Sequence, residues 1–296
     1  MPSAPLPELP FRIETTADGS QTFFSEDFGQ LFHSHFGARQ EAEAKFVRIT
    51  RLAERAATRS QLTILDICYG LGYNTAAALT AIWQANPDCR VRWHGLESDL
   101  RVTRAAIDAG LMEPWPQAVQ QAIGELAETQ QVNGEQFQAV LHVGDARRTI
   151  AAVLASGVRA DAIFLDPFAP PDCPQLWSVD FLGRLARCLA EDGYLATYSC
   201  AAAVRAALVA AGLAIGSTPP VGRNTHGTAA RWCEAGLTPL DRRAREHLLT
   251  RAAVPYRDPS GTDTAAAIVQ RRHREQQASP LEPTTRWKKR WRGIRE

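Results

Sequence analysis

The 296-residue sequence predicts a doubly wound, mostly parallel α/β sheet with helices on both faces. Three observations carry this prediction. From Leu62 onward, short apolar runs alternate with amphipathic, Ala- and Leu-rich stretches. The first run leads into a glycine loop, Gly70-Leu71-Gly72, that opens onto a helical stretch. Acidic residues then recur just past the following runs, at the carboxyl ends of strands where such sheets bind ligands.

Residues 12–25 read as two short strands around the turn Ala17-Asp18-Gly19-Ser20, Asp-Gly being a strong hairpin signal. Residues 38–57 read as one helix, because Ala42, Phe46, Ile49, Ala53 and Ala56 recur at threes and fours. The alternation then gives a buried strand at 62–66, a helix at 74–85, a strand at 91–96 and a helix at 100–109. An irregular segment holding Pro114, Trp115 and Pro116 follows. Further strands are expected at 139–143, 163–165 and 194–198, with helices at 176–189 and 201–211. The helix at 176–189 sets Trp177, Phe181, Leu185 and Cys188 on one face. Residues 213–233 supply two last strands, joined by a loop at 222–227. Past Pro239 the periodicity weakens and prolines recur at 255, 259, 280 and 283. The expected organisation is an N-terminal extension (1–60), a main domain (61–238) and a basic extension (239–296).

The balance of 45% hydrophobic and 22% charged residues is that of an ordinary globular chain. The first residues hold no basic region followed by an apolar core, and no window of eighteen uncharged apolar residues occurs, so a cytoplasmic protein with no membrane span is expected. Six scattered cysteines without CxxC spacing speak against structural zinc and suit a reducing compartment. His33 and His35 lack partners at metal-ligand spacing, so no metal is expected. The net charge of +1 hides an asymmetry. Residues 241–296 carry 14 Lys/Arg against 7 Asp/Glu, leaving 19 against 25 in residues 1–240. A basic tail on an acidic body is either a polyanion footprint or a solvated extension.

The motif Asp66-Ile-Cys68-Tyr-Gly70-Leu-Gly72-Tyr-Asn74 follows a strand and opens a helix. Glycines there let a ligand approach the backbone, and the helix N-terminus offers free N–H groups. A dinucleotide fingerprint would need a third glycine where Thr75 stands. The pattern of adenosylmethionine sites instead has an acid four residues before the first glycine, and Asp66 is there. Cys68 stands where that pattern often has another glycine. Glu97 ends the second strand, where a carboxylate can accept both ribose hydroxyls of a nucleoside, while Asp99 reads as the next helix cap. Gly144-Asp145-Ala146-Arg147 places an acid where it can accept from an adenine amino group or cap a helix. Asp166-Pro167-Phe168-Ala169-Pro170 sets a carboxylate at a strand end in a loop stiffened by proline, with Phe168 able to stack on a base. His226 reads as a solvated loop residue.

Together these residues resemble the MnmC-type methyltransferases that finish the wobble uridine of certain bacterial tRNAs. The pieces that carry the resemblance are Asp18-Gly-Ser-Gln-Thr22, Phe28-Gly29, His33-Ser34, Gly37-Ala38 with Glu41, Phe46, the 68–74 loop, Leu96-Glu97, the motifs at 144–147 and 165–170, Cys173-Pro174, Leu176-Trp177 and Ala196-Thr-Tyr198-Ser199. The resemblance spans most of residues 16–235. It implies a Rossmann-like methyltransferase sheet, S-adenosylmethionine as methyl donor, and tRNA bearing 5-aminomethyl-2-thiouridine as substrate, converted to 5-methylaminomethyl-2-thiouridine. On this footing Asp66, Cys68, Gly70, Gly72, Asn74, Glu97, Asp145 and Ala146 are expected at the cofactor, Phe168 and Tyr198 at the substrate, and Asp166 in catalysis. Some members carry a fused FAD-dependent oxidase domain; a chain of this length is expected to be the stand-alone form.

Methyl transfer from a sulfonium to an amine is an in-line displacement that needs a free lone pair. A primary alkyl amine has a pKa of about 10 and is mostly protonated at neutral pH. Asp166 is therefore expected to hydrogen-bond the amine, aim its lone pair and stabilise the charge that grows on nitrogen. Two other classes compete: a small-molecule amine methyl- or aminopropyltransferase on the same fold, which calls for an acidic pocket and no basic tail, and an RNA-binding module without chemistry, against which the acids at 66, 97, 145 and 166 argue.

Overall fold

The computed structural model describes residues 11–222 and 226–292. The N-terminal hairpin forms as the Asp-Gly signal predicts: β1 (Arg12–Thr15) pairs antiparallel with β2 (Gln21–Ser25), and β3 (Gln30–Leu31) adds a third short strand. Its turn has a second task. The Asp18 carboxylate accepts from the Gln40 backbone N–H at 2.9 Å, and Ser20 Oγ accepts from the Ala38 N–H at 3.0 Å, so the turn caps the following helix.

That helix is not the single rod expected at 38–57. It runs as α1 (Ala38–Glu41), widens into a π-helical stretch over Ala42–Val47, and breaks at Arg51, whose φ of 57° is left-handed. It resumes as α2 (Leu52–Ala56). The apolar stripe is real, but Thr50 bonds its hydroxyl back to the Phe46 carbonyl at 2.7 Å at the point where the chain turns.

From β4 (Gln61–Ile67) the alternation holds: α3 (Tyr73–Ala85), β5 (Arg90–Glu97), α4 (Leu100–Asp108). The segment read as irregular past Pro116 instead folds into α5 (Gln117–Thr129), with Val119, Ile123 and Leu126 buried on one face, and β6 (Gln131–Asn133). Then come β7 (Phe137–Val143), α6 (Ala146–Ala155) and β8 (Ala160–Leu165). The helix expected from 176 starts later, as α7 (Val179–Cys188). The Ser178 side chain caps it, and a 3₁₀ turn at Pro174–Trp177 precedes it. β9 (Leu189–Thr197), α8 (Ala202–Ala210), β10 (Ala214–Ser217) and β11 (Thr228–Arg231) complete the sheet. Residues 223–225 of the expected 222–227 loop lie outside the described residues. Its His226 is exposed, with Nδ1 2.8 Å from the Thr218 carbonyl.

The large sheet has the order β10-β11-β9-β8-β4-β5-β7-β6. β4, β5, β7, β8 and β9 run parallel to their neighbours in that group, and β6, β10 and β11 pair antiparallel at the two margins. The chain leaves β4 toward β5 and returns to its other side at β8, so the topological switch point lies at the carboxyl ends of β4, β5 and β8. Alternate side chains feed two cores: Trp93 and Phe164 on one face, Leu65, Ile67 and Trp177 on the other.

The C-terminal extension is folded and packs against α8 and the 3₁₀ turn before α7. It contains α9 (Arg242–Leu248), α10 (Ala265–Ala278) and α11 (Thr284–Arg290), and it inserts Tyr256 and Ile268 into the second core. This removes the reading of a free solvated tail. Two tryptophans that the sequence places among the last basic residues, Trp287 and Trp291, are turned inward, each 8% exposed. Trp287 stacks on His247 at 4.1 Å between ring centroids, and Trp291 donates to Glu246 at 2.9 Å. These indoles brace α11 against α9. What faces solvent is basic: Arg242, Arg243, Arg286, Lys288 and Lys289. Among the described residues, no helix is long and apolar enough to cross a membrane.

Candidate active site

A cavity of about 740 Å³ opens at the switch point. Of the expected site residues, Cys68, Gly70, Asn74, Glu97, Asp145, Ala146, Asp166, Phe168 and Tyr198 line it, while Asp66 and Gly72 stand outside its wall. Gly72 starts α3 with φ 92°, close under the Tyr69 ring. Asp66 is wholly buried, and its carboxyl oxygens meet no hydrogen-bond partner. Burial, then the nearby Asp166 and Glu97 charges, push its carboxyl well above the usual range; the adjacent Thr75 hydroxyl offsets only part of this without reaching hydrogen-bond geometry. Asp66 thus sits beneath the loop, holding its proton more tightly than an ordinary aspartate.

The loop is held by Glu97. Oε2 accepts from the Gly70 N–H at 2.8 Å, and Oε1 from the N–H groups of Ser98 and Asp99 at 2.6 and 2.9 Å. The N–H that a pyrophosphate would need is already given to a carboxylate. Cys68 has φ 66°, the left-handed region that glycine tolerates best, which accounts for the glycine often found there in the pattern.

Asp145 and Asp99 both cap helices, as their positions suggest, each accepting from the N–H two residues on. Asp145 does more, because its side chain stays 35% exposed on the cavity wall. Burial pushes its carboxyl up, but hydrogen bonds and charge from Arg147 outweigh this and hold it below the usual range.

Asp166 is the most perturbed acid facing the cavity. Burial pushes it up to about 7; the Asn74 amide, donating to Oδ2 at 2.9 Å, works against this, and the Glu41 charge adds to it. Asn74, expected at the cofactor, is therefore also the residue that orients Asp166. The loop behind Asp166 is pinned at three points. Tyr198 donates its hydroxyl to the Pro167 carbonyl at 2.8 Å, while Trp177 Nε1 and Cys173 Sγ both donate to the Phe168 carbonyl at 2.9 Å. Tyr198 braces the loop through the very hydroxyl that a substrate would otherwise contact.

Phe168 is not open to a base as a lone ring. Phe28 stacks on it at 4.1 Å and Phe32 tilts against it at 5.1 Å, making an aromatic wall from the N-terminal sheet. The outward ring is Phe28, 41% exposed. The N-terminal segment also sends His33, Glu41 and Lys45 into the cavity. His33 lies 3.0 Å from the Thr22 hydroxyl, and burial pushes it down to about 4, so it is neutral in the working range. Glu41 accepts from Ser34 N and Oγ at 3.0 and 2.6 Å and pairs with Lys45. The family resemblance marks Phe28, His33 and Glu41 without giving them a role; Phe32 and Lys45 carry no separate signal in the sequence.

A cavity walled by carboxylates at the ends of β5, β7 and β8 suits a cationic nucleoside sulfonium better than a pyrophosphate, and on this sheet that defines an S-adenosylmethionine-dependent methyltransferase. A family model described as S-adenosyl-L-methionine-dependent methyltransferase matches residues 109–232. The crystal structure of MnmC2 from Aquifex aeolicus is 32% identical, with a TM-score of 0.80 over 92% of this chain and 87% of that one. The chain belongs to the MnmC-type methyltransferase family. The tRNA 5-methylaminomethyl-2-thiouridine biosynthesis bifunctional protein MnmC of Azoarcus sp. is 30% identical over 275 residues, 90% of this chain. An uncharacterised protein of Methanocaldococcus jannaschii is 28% identical over 87% of this chain and 70% of its own length. The chain spans 42% of the length of the Azoarcus protein and 33% of the Burkholderia vietnamiensis MnmC.

The residues present fit the donor. Gly70 has φ 57° and packs no closer than 3.8 Å around an added Cβ, so the loop leaves room for a ligand at its backbone. The volume lies within the range of small-molecule sites.

Proposed function

We propose that the chain N-methylates the aminomethyl group of 5-aminomethyl-2-thiouridine at the tRNA wobble position, giving 5-methylaminomethyl-2-thiouridine. The observation that carries this reading is Asp166: a buried, Asn74-oriented carboxyl with its pKa raised to about 7, set in a cavity beside an aromatic wall. The names of the relatives supply the nucleoside.

Bound S-adenosylmethionine supplies an activated methyl group on sulfur. Glu97 takes the ribose hydroxyls, Asp145 the adenine amino group, and Ala146, Cys68, Gly70 and Gly72 shape the backbone around them. Asp66 supports the loop from below. Asp166 receives the incoming ammonium. An acid with a pKa of about 7 is a better proton acceptor than an ordinary aspartate: its ionised form takes one proton from the ammonium, freeing the lone pair that attacks the methyl group, and the resulting neutral acid holds that proton. Phe168, backed by Phe28 and Phe32, walls off water, and Tyr198 holds the loop in register. The exposed Arg and Lys of α9 and α11 meet tRNA phosphates.

The test is mass spectrometry of wobble nucleosides after incubating the protein and S-adenosylmethionine with tRNA from a strain lacking this methylation. One added methyl group on the aminomethyl nitrogen is expected. Methylation of free amines with none on tRNA refutes the reading.

A further inference from the structure

The C-terminal extension reaches the donor end of the cavity through one arginine. Arg147 grips Asp145 along one edge of its guanidinium, with Nε 3.1 Å from both oxygens and Nη2 2.7 Å from Oδ2. Nη1 is left over and donates to Asp258 Oδ2 at 2.8 Å and to the Asp263 carbonyl at 2.9 Å, both in the extension. The Asp258 side chain is wholly buried. It is fixed in turn by the Asp263 N–H at 3.1 Å and the Ser260 hydroxyl at 3.2 Å, and its own N–H donates to Asp180 of α7 at 2.6 Å. Arg184 closes the cluster by donating to the Arg147 carbonyl at 2.7 Å.

The physical consequence lies in the guanidinium plane. An arginine bonded only to Asp145, two residues away and partly exposed, exchanges among rotamers. Two further acceptors on the opposite side select one rotamer and fix the plane, and the Asp145 carboxylate must lie in that plane to keep its paired bonds. One guanidinium also faces two carboxylates, so the cluster keeps a net negative charge and Asp145 remains an acceptor toward the cavity.

We propose that Asp258 is a positioning residue for the methyl donor: through Arg147 it fixes the Asp145 carboxylate against the adenine amino group, so that the C-terminal extension sets the preference of the site for adenine over a 6-oxopurine. This rests on the reading of Asp145 as the adenine partner. The test uses the full chain and two probes, S-adenosylhomocysteine and S-inosylhomocysteine, in which a carbonyl replaces the amino group. Calorimetric titration compares the ratio of the two affinities in the parent protein, Asp145→Asn, Asp258→Asn and Arg147→Lys. Asp258→Asn is expected to lower the adenine preference about tenfold, the size of one misaligned charge-assisted hydrogen bond, with the inosine analogue bound as before. Arg147→Lys, which keeps the charge but not the fork, is expected to do the same and decides the matter if Asp258→Asn does not fold. Loss of the preference in Asp145→Asn but full retention in the other two overturns the proposal and leaves the Asp145 reading standing. Retention in Asp145→Asn overturns both.

Discussion

Replacing Asp166 by asparagine separates what the carboxyl does for catalysis from what it costs the fold. In the ligand-free protein, burial raises its pKa from 3.8 to about 7, so the folded state favours the protonated form. Its stabilising share is complete below the unfolded value and is lost as pH rises through the folded one. A shift of about three units corresponds to about 4 kcal/mol at most, at 1.36 kcal/mol per unit. Asparagine keeps the shape and one acceptor for the Asn74 amide but never ionises. Asp166→Asn is therefore expected to raise the stability of the ligand-free protein at pH 8 by up to about 4 kcal/mol, about 5 °C or more in Tm, and to leave it nearly unchanged at pH 4. Thermal unfolding monitored by circular dichroism across this pH range provides the comparison. Single-turnover methylation with both substrates saturating should show the converse, a loss of about 100-fold or more for Asp166→Asn and Asp166→Ala, with binding little changed. A stability difference that does not vary with pH refutes the account of a carboxylate disfavoured by burial. Near-normal turnover in both variants means that Asp166 only braces its loop.

In the parent enzyme, kcat/KM should rise with pH through about 7 as Asp166 loses its proton, and Asp166→Asn should lose that limb of the profile. Glu97→Ala frees the Gly70 N–H and should weaken S-adenosylmethionine binding by roughly 1–3 kcal/mol in calorimetry; tight NADP binding by the parent protein would contradict the assignment. Cys68→Gly removes a side chain from a left-handed residue and should stabilise the protein by about 1 kcal/mol in denaturant unfolding, a drop in stability telling against strain there. Lys288→Ala with Lys289→Ala leaves the packing of Trp287 and Trp291 intact; it should weaken tRNA binding and lower the salt slope by about 1 for each phosphate no longer neutralised, measured by filter binding at several salt concentrations.

Most of the sheet was legible because its signals are local. An apolar run, a glycine turn and an alternating helix face declare themselves within ten or so residues, and so the strands around β4, β5, β7, β8 and β9 and the acids at their ends could be placed in order. Helix α5 had a readable stripe of Val119, Ile123 and Leu126, hidden behind the prolines at 114 and 116. The break at Arg51 and the π-helical stretch had no comparable mark, since the periodicity runs straight through them.

By itself, the sequence determined the fold class, the glycine loop, the strand-end acids and the membership of a methyltransferase family. The tertiary structure decided what those residues face. It brought an N-terminal sheet over Phe168, aimed Asn74 at Asp166, and drew Arg147 between Asp145 and Asp258, residues 113 positions apart. It also turned two tryptophans of a basic tail inward as braces. Burial and charge neighbours are sums over residues distant in the chain, so the raised pKa of Asp166 and the restraint on Asp145 arise only when the chain is closed.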